Sequence, residues 1–142
     1  MRLAAAKAAV VAARYPDAVI LAADTVVAVG RRILPKTEDE AQARTCLELL
    51  SGRRHRVMTA VTVITRGAAR HRMSNTIVTF KVLTAAEIDH YMASGEWHGK
   101  AGGYAIQGRA EGFVRFLSGS HSGVVGLPLY ETRSLLLSAG IG

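Results

Sequence analysis

Val57-Met58-Thr59-Ala60-Val61-Thr62-Val63-Ile64-Thr65 is apolar or β-branched on both of its alternating sets of positions. Val57, Thr59, Val61, Val63 and Thr65 form one set; Met58, Ala60, Thr62 and Ile64 form the other. A strand that is largely apolar on both faces belongs in the middle of a sheet, with cover on each side. Arg66-Gly67 then turns the chain, and residues 73–82 return as a second β-rich run, so a long hairpin is predicted.

Working outward, residues 18–23 are apolar on consecutive positions, the pattern of a strand in a parallel sheet, and residues 25–29 extend it. Gly30-Arg31 makes a turn before Ile33-Leu34. Residues 3–14 are helical by composition, and Tyr15-Pro16-Asp17 ends that helix. Thr37 and Glu40 have capping-box spacing for a helix through Leu50, with Ala41, Cys46, Leu47 and Leu50 as its buried face and Gly52 closing it. Thr84 and Glu87 repeat that spacing for a helix ending near Gly95. Nine of the 14 glycines lie between Gly95 and Gly126, which predicts mostly loop around a short strand at residues 112–117. Pro128 opens a last helix closed by Gly140. The prediction is one α/β domain over residues 1–142, a mixed twisted sheet flanked by helices.

Composition narrows the function classes. The net charge of +7 favours an anionic partner, either nucleic acid or nucleoside phosphates. The basic clusters Arg31-Arg32, Arg53-Arg54-His55-Arg56 and Arg70-His71-Arg72 lie beside predicted turns and lack interleaved aromatics, so nucleic-acid binding is disfavoured. No apolar run reaches the length of a membrane span. The single cysteine, Cys46, excludes an internal disulfide and fits a reducing compartment, so the cytoplasm is the expected location. The histidines have no zinc-site spacing, and there is neither a Walker loop nor a Gly-x-Ser-x-Gly elbow.

Three places can carry chemistry. Asp24 follows an apolar strand; its carboxylate can hold Mg²⁺, take a proton from water or cap a turn, and Thr25 beside it can hydrogen-bond a ligand. Lys36 precedes a predicted helix N-terminus, where it either joins an anion site or lies on the surface. Residues 99–108, Gly-Lys-Ala-Gly-Gly-Tyr-Ala-Ile-Gln-Gly, place Lys100 and Gln107 in a backbone that glycine leaves nearly bare. A cation for phosphate and an amide for a base edge would make a nucleotide site; a turn with a solvated lysine is the other reading. Residues 119–128 are a glycine-flanked loop that either cradles phosphate or only connects.

Taken in order, several patches resemble the Maf family of nucleoside triphosphate pyrophosphatases. They are Ala22-Ala23-Asp24-Thr25-Val26-Val27, Ile33-Leu34-Pro35-Lys36, Leu50-Ser51-Gly52-Arg53-Arg54-His55-Arg56-Val57-Met58-Thr59, Gly95-Glu96, residues 100–108 and residues 124–129. The resemblance spans nearly the whole chain. It implies a Maf/ITPase-like fold and hydrolysis of the α–β phosphoanhydride to a nucleoside monophosphate and pyrophosphate, with Mg²⁺ or alternatively Mn²⁺. By resemblance, Asp24 is the general base and a metal ligand. Lys7 and Lys36 hold the triphosphate, and Lys100 contacts phosphate. Thr25 and Gln107 match specificity positions, and glutamine at the latter resembles the branch acting on dTTP and UTP. The family also suggests a homodimer and a role in nucleotide cleansing or in restraining septum formation.

The chain departs from the family pattern at Thr37, where proline is usual, Gly99, where aspartate is usual, and Gly123, where asparagine is common. The family's opening strand, its Ser-x-Ser-Pro-Arg-Arg loop and a later metal-binding glutamate are not matched; the sequence begins Met1-Arg2-Leu3. A truncated pyrophosphatase with weak catalysis is therefore the expectation. A non-catalytic nucleotide-binding regulator on the same fold is the alternative.

Overall fold

The computed structural model describes residues 2–141. The elements run α1 (Arg2–Arg14), β1 (Ile20–Val29), β2 (Arg32–Leu34), α2 (Glu40–Leu50), β3 (Arg54–Thr65), β4 (Ala68–Phe80), α3 (Ala85–Ser94), a 3₁₀ turn (Arg109–Phe113), β5 (Val114–Ser118), α4 (His121–Val125) and α5 (Leu129–Ser138). The five strands form one sheet in the order β2-β1-β3-β4-β5. The α/β domain and the central place of residues 57–65 are as the sequence indicates.

Every strand pairing is antiparallel, so the sheet is not mixed. Helices cover the antiparallel sheet on opposite faces, which accounts for the two-sided apolar pattern of β3; the run at residues 18–23 that pointed to a parallel sheet is not covered in this way, since Val19 and Leu21 are exposed. On one face Ala8 of α1 packs with Ile20 and Ile64; on the other Leu135 of α5 packs with Val61 and Val63. A strand sandwiched in this way needs apolar residues on consecutive positions whichever way its neighbours run.

The main core lies on the α5 face, beyond the reach of α5 itself. Val27, Val29, Val57, Val78 and Phe80 of the sheet pack there with Leu47 and Leu50 of α2, Ile88 and Tyr91 of α3, and Tyr104, Ile106 and Phe113. In α2 the buried residues are Ala43, Cys46, Leu47 and Leu50, while Ala41 is exposed. Its N-cap is Asp39, whose carboxylate accepts from Gln42 N–H at 2.8 Å. Thr37 is not the cap. It is fully buried, and its hydroxyl donates to the Trp97 carbonyl at 2.6 Å, which binds the α2 approach to the glycine-rich segment. The Thr84–Glu87 capping box of α3 forms as predicted, with Gly95 left-handed at φ 71° behind it.

Two further boundaries differ from the prediction. β4 begins at Ala68 and not at Met73, so Arg70, His71 and Arg72, beside the Arg66-Gly67 turn, lie on the strand. The strand tolerates them because its first residues extend past the cover of the core. The short α4 was not foreseen. It is held by side chains that its sequence gives little reason to expect: Ser120 Oγ accepts from Gly123 N–H, and Ser122 Oγ accepts from Leu129 N–H.

Leu47 is fully buried in the main core. Leu47→Ala should therefore destabilise the domain by about 2–5 kcal/mol, read as a lowered urea midpoint at unchanged slope.

Candidate active site

β2 pairs with β1 only at residues 27–29, which leaves residues 20–26 of β1 along an open sheet edge. A cavity of about 200 Å³ lies beside that edge. Lys7, Asp24, Thr25, Lys36, Lys100 and Gln107 all line it. The structure thus brings together the six residues singled out from the sequence, drawn from α1, β1, the β2–α2 connection and the loop after α3.

Backbone pairing accounts for the meeting of the last two segments. Lys36 and Ala101 form an antiparallel bridge. Gly102 N–H donates to the Pro35 carbonyl at 3.0 Å, Thr37 N–H to the Lys100 carbonyl at 3.1 Å, and Gly99 N–H to the Thr37 carbonyl at 2.7 Å. Lys36 is therefore placed by this pairing and not by the N-terminus of α2, which starts four residues later. Glycine is required at Gly102: its φ is 72°, and a Cβ there would lie 2.9 Å from Val27 Cγ1.

The cavity is electropositive, with three ammonium groups facing the single carboxylate of Asp24. Lys7 Nζ donates to Asp24 Oδ1 at 2.9 Å; the lysine side chain is 49% exposed and the aspartate 10%. Lys36 and Lys100 make no ion pair among the described residues, so both remain available to an anion. No group of three or more histidine, cysteine or acidic side chains suited to a metal occurs among the described residues. Residues 119–128 hold themselves together through side-chain caps. Their serines cap α4 and the start of α5, and the segment contributes only Val124 and Val125 to the cavity wall.

Successive residues of a strand face opposite sides of the sheet. Asp24 is on the α1 face, where Lys7 meets it, and Thr25 is on the core face, in register with Thr59. Val27 and Val57 are on Thr25's face and also line the cavity. The α1 side of the cavity holds the Asp24–Lys7 pair, and the core side holds Thr25 with Val27 and Val57.

Sequence reading passed over three residues that support this lining. His55 is buried, and its Nε2 shares a 2.6 Å hydrogen bond with the hydroxyl of Tyr104, a cavity residue. Burial pushes the imidazole down to about 4 and raises the Tyr104 phenol. Glu96 accepts from Arg109 N–H at 2.9 Å and so holds the backbone just past Gln107. Thr59, fully buried, donates to the Gly123 carbonyl at 2.6 Å. Their only sequence signal is that a histidine, a glutamate and a threonine stand inside the resembling patches. Their partners are 49, 13 and 64 residues away.

The fold and the cavity define an α/β domain with a cationic pocket at a sheet edge. The chain belongs to the Maf family: the family model described as Maf-like protein matches residues 1–139. A Novosphingobium aromaticivorans protein named dTTP/UTP pyrophosphatase is 66% identical over 142 residues, covering 99% of this chain and 71% of that protein. Proteins of the same name from Sphingopyxis alaskensis and Rhodospirillum rubrum are 67% and 61% identical, with 99% and 98% of this chain covered and 74% and 67% of theirs. No helix among the described residues is long and apolar enough to cross a membrane.

The buried histidine gives the domain an acid-side weakness. Above about pH 6.5 the imidazole is neutral in both folded and unfolded chains. As pH falls toward 4, only the unfolded chain gains the proton, so stability falls across that window by on the order of 3 kcal/mol. His55→Gln should flatten the pH dependence of the unfolding free energy between those two values, measured by urea titration at each pH.

Proposed function

We propose that this chain hydrolyses the α–β phosphoanhydride of dTTP and UTP, releasing the nucleoside monophosphate and pyrophosphate. The observation that carries this reading is the single cavity in which three lysines, one carboxylate and an amide converge. The names of the relatives supply the substrate class.

The assigned roles follow from charge and position. Lys36 and Lys100, free of carboxylate partners, hold the triphosphate as point charges. Lys7 contributes a third cation while keeping the Asp24 carboxylate in place. Asp24 accepts a proton from the water whose oxygen bonds to the α-phosphorus, as the bond to the bridging oxygen breaks and pyrophosphate leaves. Gln107 faces the cavity with an amide that can both donate and accept, which suits a base edge. Apolar cover from Val27, Val57 and Val124 suits the base rather than the phosphates.

The pyrophosphatase family points to a divalent metal, for which we assign Mg²⁺ with Mn²⁺ as a substitute. The donor set fits an ion carried largely by phosphate oxygens and water, for which one carboxylate, Asp24, is sufficient. When bound, such an ion neutralises charge on the phosphates as the leaving group departs. A cytoplasmic homodimer is part of the same proposal.

Pyrophosphate release from dTTP and UTP with Mg²⁺ tests the reading. Asp24→Asn should lower kcat at least 100-fold with the fold retained by circular dichroism, since it removes the proton acceptor. Lys36→Ala should act mainly through a raised KM. Release that survives Asp24→Asn undiminished overturns the role of Asp24. Nucleotide binding by the parent chain with no release supports a non-catalytic regulator instead.

A further inference from the structure

The hydroxyl of Thr25 lies 2.9 Å from that of Thr59, and either could donate on that distance alone. The next bond removes the ambiguity. Thr59 spends its one hydroxyl hydrogen on the Gly123 carbonyl at 2.6 Å, so it can only accept from Thr25. Thr25 therefore donates inward, so toward a ligand in the cavity that Thr25 lines its hydroxyl can only accept.

The relay is rigidly built. Thr59 is fully buried in the central strand. Gly123 is held by Ser120 Oγ, which accepts from Gly123 N–H at 2.9 Å, and Ser120 N–H in turn donates to Thr76 Oγ1 at 2.9 Å. A Cβ on Gly123 would lie 2.5 Å from Ser74 Oγ, so the loop packs closely against β4 at this point. Gly126 presents no side chain over Thr25, and its Cβ position is 3.8 Å from the Thr25 hydroxyl oxygen.

We infer that Thr59 is a specificity-determining positioning residue: by making Thr25 a pure acceptor, it selects a base that presents a ring N–H. This deepens the pyrophosphatase reading and rests on it for the identity of the ligand. Thr25 shares the apolar side of the cavity with Val27 and Val57, away from the Asp24–Lys7 pair, which places it with the base. Uracil and thymine carry a hydrogen on N3 and meet that acceptor. Cytosine presents a bare N3 lone pair there, and two acceptors face each other. A buried polar group left without its partner rejects the wrong ligand more strongly than a missing apolar contact does.

The experiment is calorimetric titration of the 142-residue chain with the α,β-methylene analogues of dUTP, dCTP and N3-methyl-dUTP in Mg²⁺. The parent should bind the dUTP analogue at least tenfold more tightly than either of the others. Thr59→Val releases the Thr25 hydrogen to donate, and should bring the dCTP and dUTP analogues to within about threefold. Thr59→Ser should restore the preference. A residue with only a structural role would weaken all three ligands alike. Equal binding of the dUTP and dCTP analogues by the parent overturns the inference, as does an undiminished preference in folded Thr59→Val. If Thr59→Val does not fold, Thr59→Ala, which also removes the hydroxyl, carries the same three-ligand comparison. Selective binding with no pyrophosphate released from dUTP leaves the subsite standing and overturns the reaction alone; no binding of any of the three overturns both.

Discussion

The backbone pairing of residues 35–37 with residues 99–102 turns an open sheet edge into a cavity. Three backbone hydrogen bonds and the Lys36–Ala101 bridge join two segments more than 60 residues apart. Without them Lys36 and Lys100 would be unrelated surface lysines. The pairing needs Gly102 at positive φ against Val27 and Thr37 buried beneath Trp97. The glycines of residues 99–108 thus serve backbone packing first. Because the backbone can come so close, the side chains of Lys100 and Gln107 reach the cavity.

Alternation along β1 supplies the second constraint. Neighbouring residues Asp24 and Thr25 must face opposite sides of the sheet. At the interior of a sheet this would separate them. At an edge both sides border the same open space, so one cavity receives a carboxylate with its lysine from the α1 face and a hydroxyl relay from the core face. On the proposed reading, a single peptide step separates the carboxylate that serves the phosphates from the hydroxyl that meets the base.

Much of this was legible in advance. The central strand, the hairpin at Arg66-Gly67, the Thr84–Glu87 box and the final helix all followed from local pattern. Local pattern misled where two local rules compete with a distant partner. Thr37 has the spacing of a cap, but its hydroxyl is claimed by the Trp97 carbonyl, and Asp39 caps instead. Ala41 fits an apolar stripe, yet it lies outside the face that α2 turns to the core. Continuous apolarity at residues 18–23 says nothing of strand direction, and Val19 and Leu21 of that run are exposed. His55, Thr59 and Glu96 stayed hidden because each acts through a partner that only folding brings near.

The sequence by itself determined most of the strands and helices, which residue types could bind phosphate and read a base, and the family to which the chain belongs. Those properties are written in periodicity, capping chemistry and the order of short motifs, all of which are local along the chain. Only the tertiary structure decided that the sheet is antiparallel, that the six candidate residues share one cavity, and which way the Thr25 hydroxyl points. Each of these depends on hydrogen bonds between residues far apart in sequence. The donor of one such bond is fixed by what its partner is already bonded to.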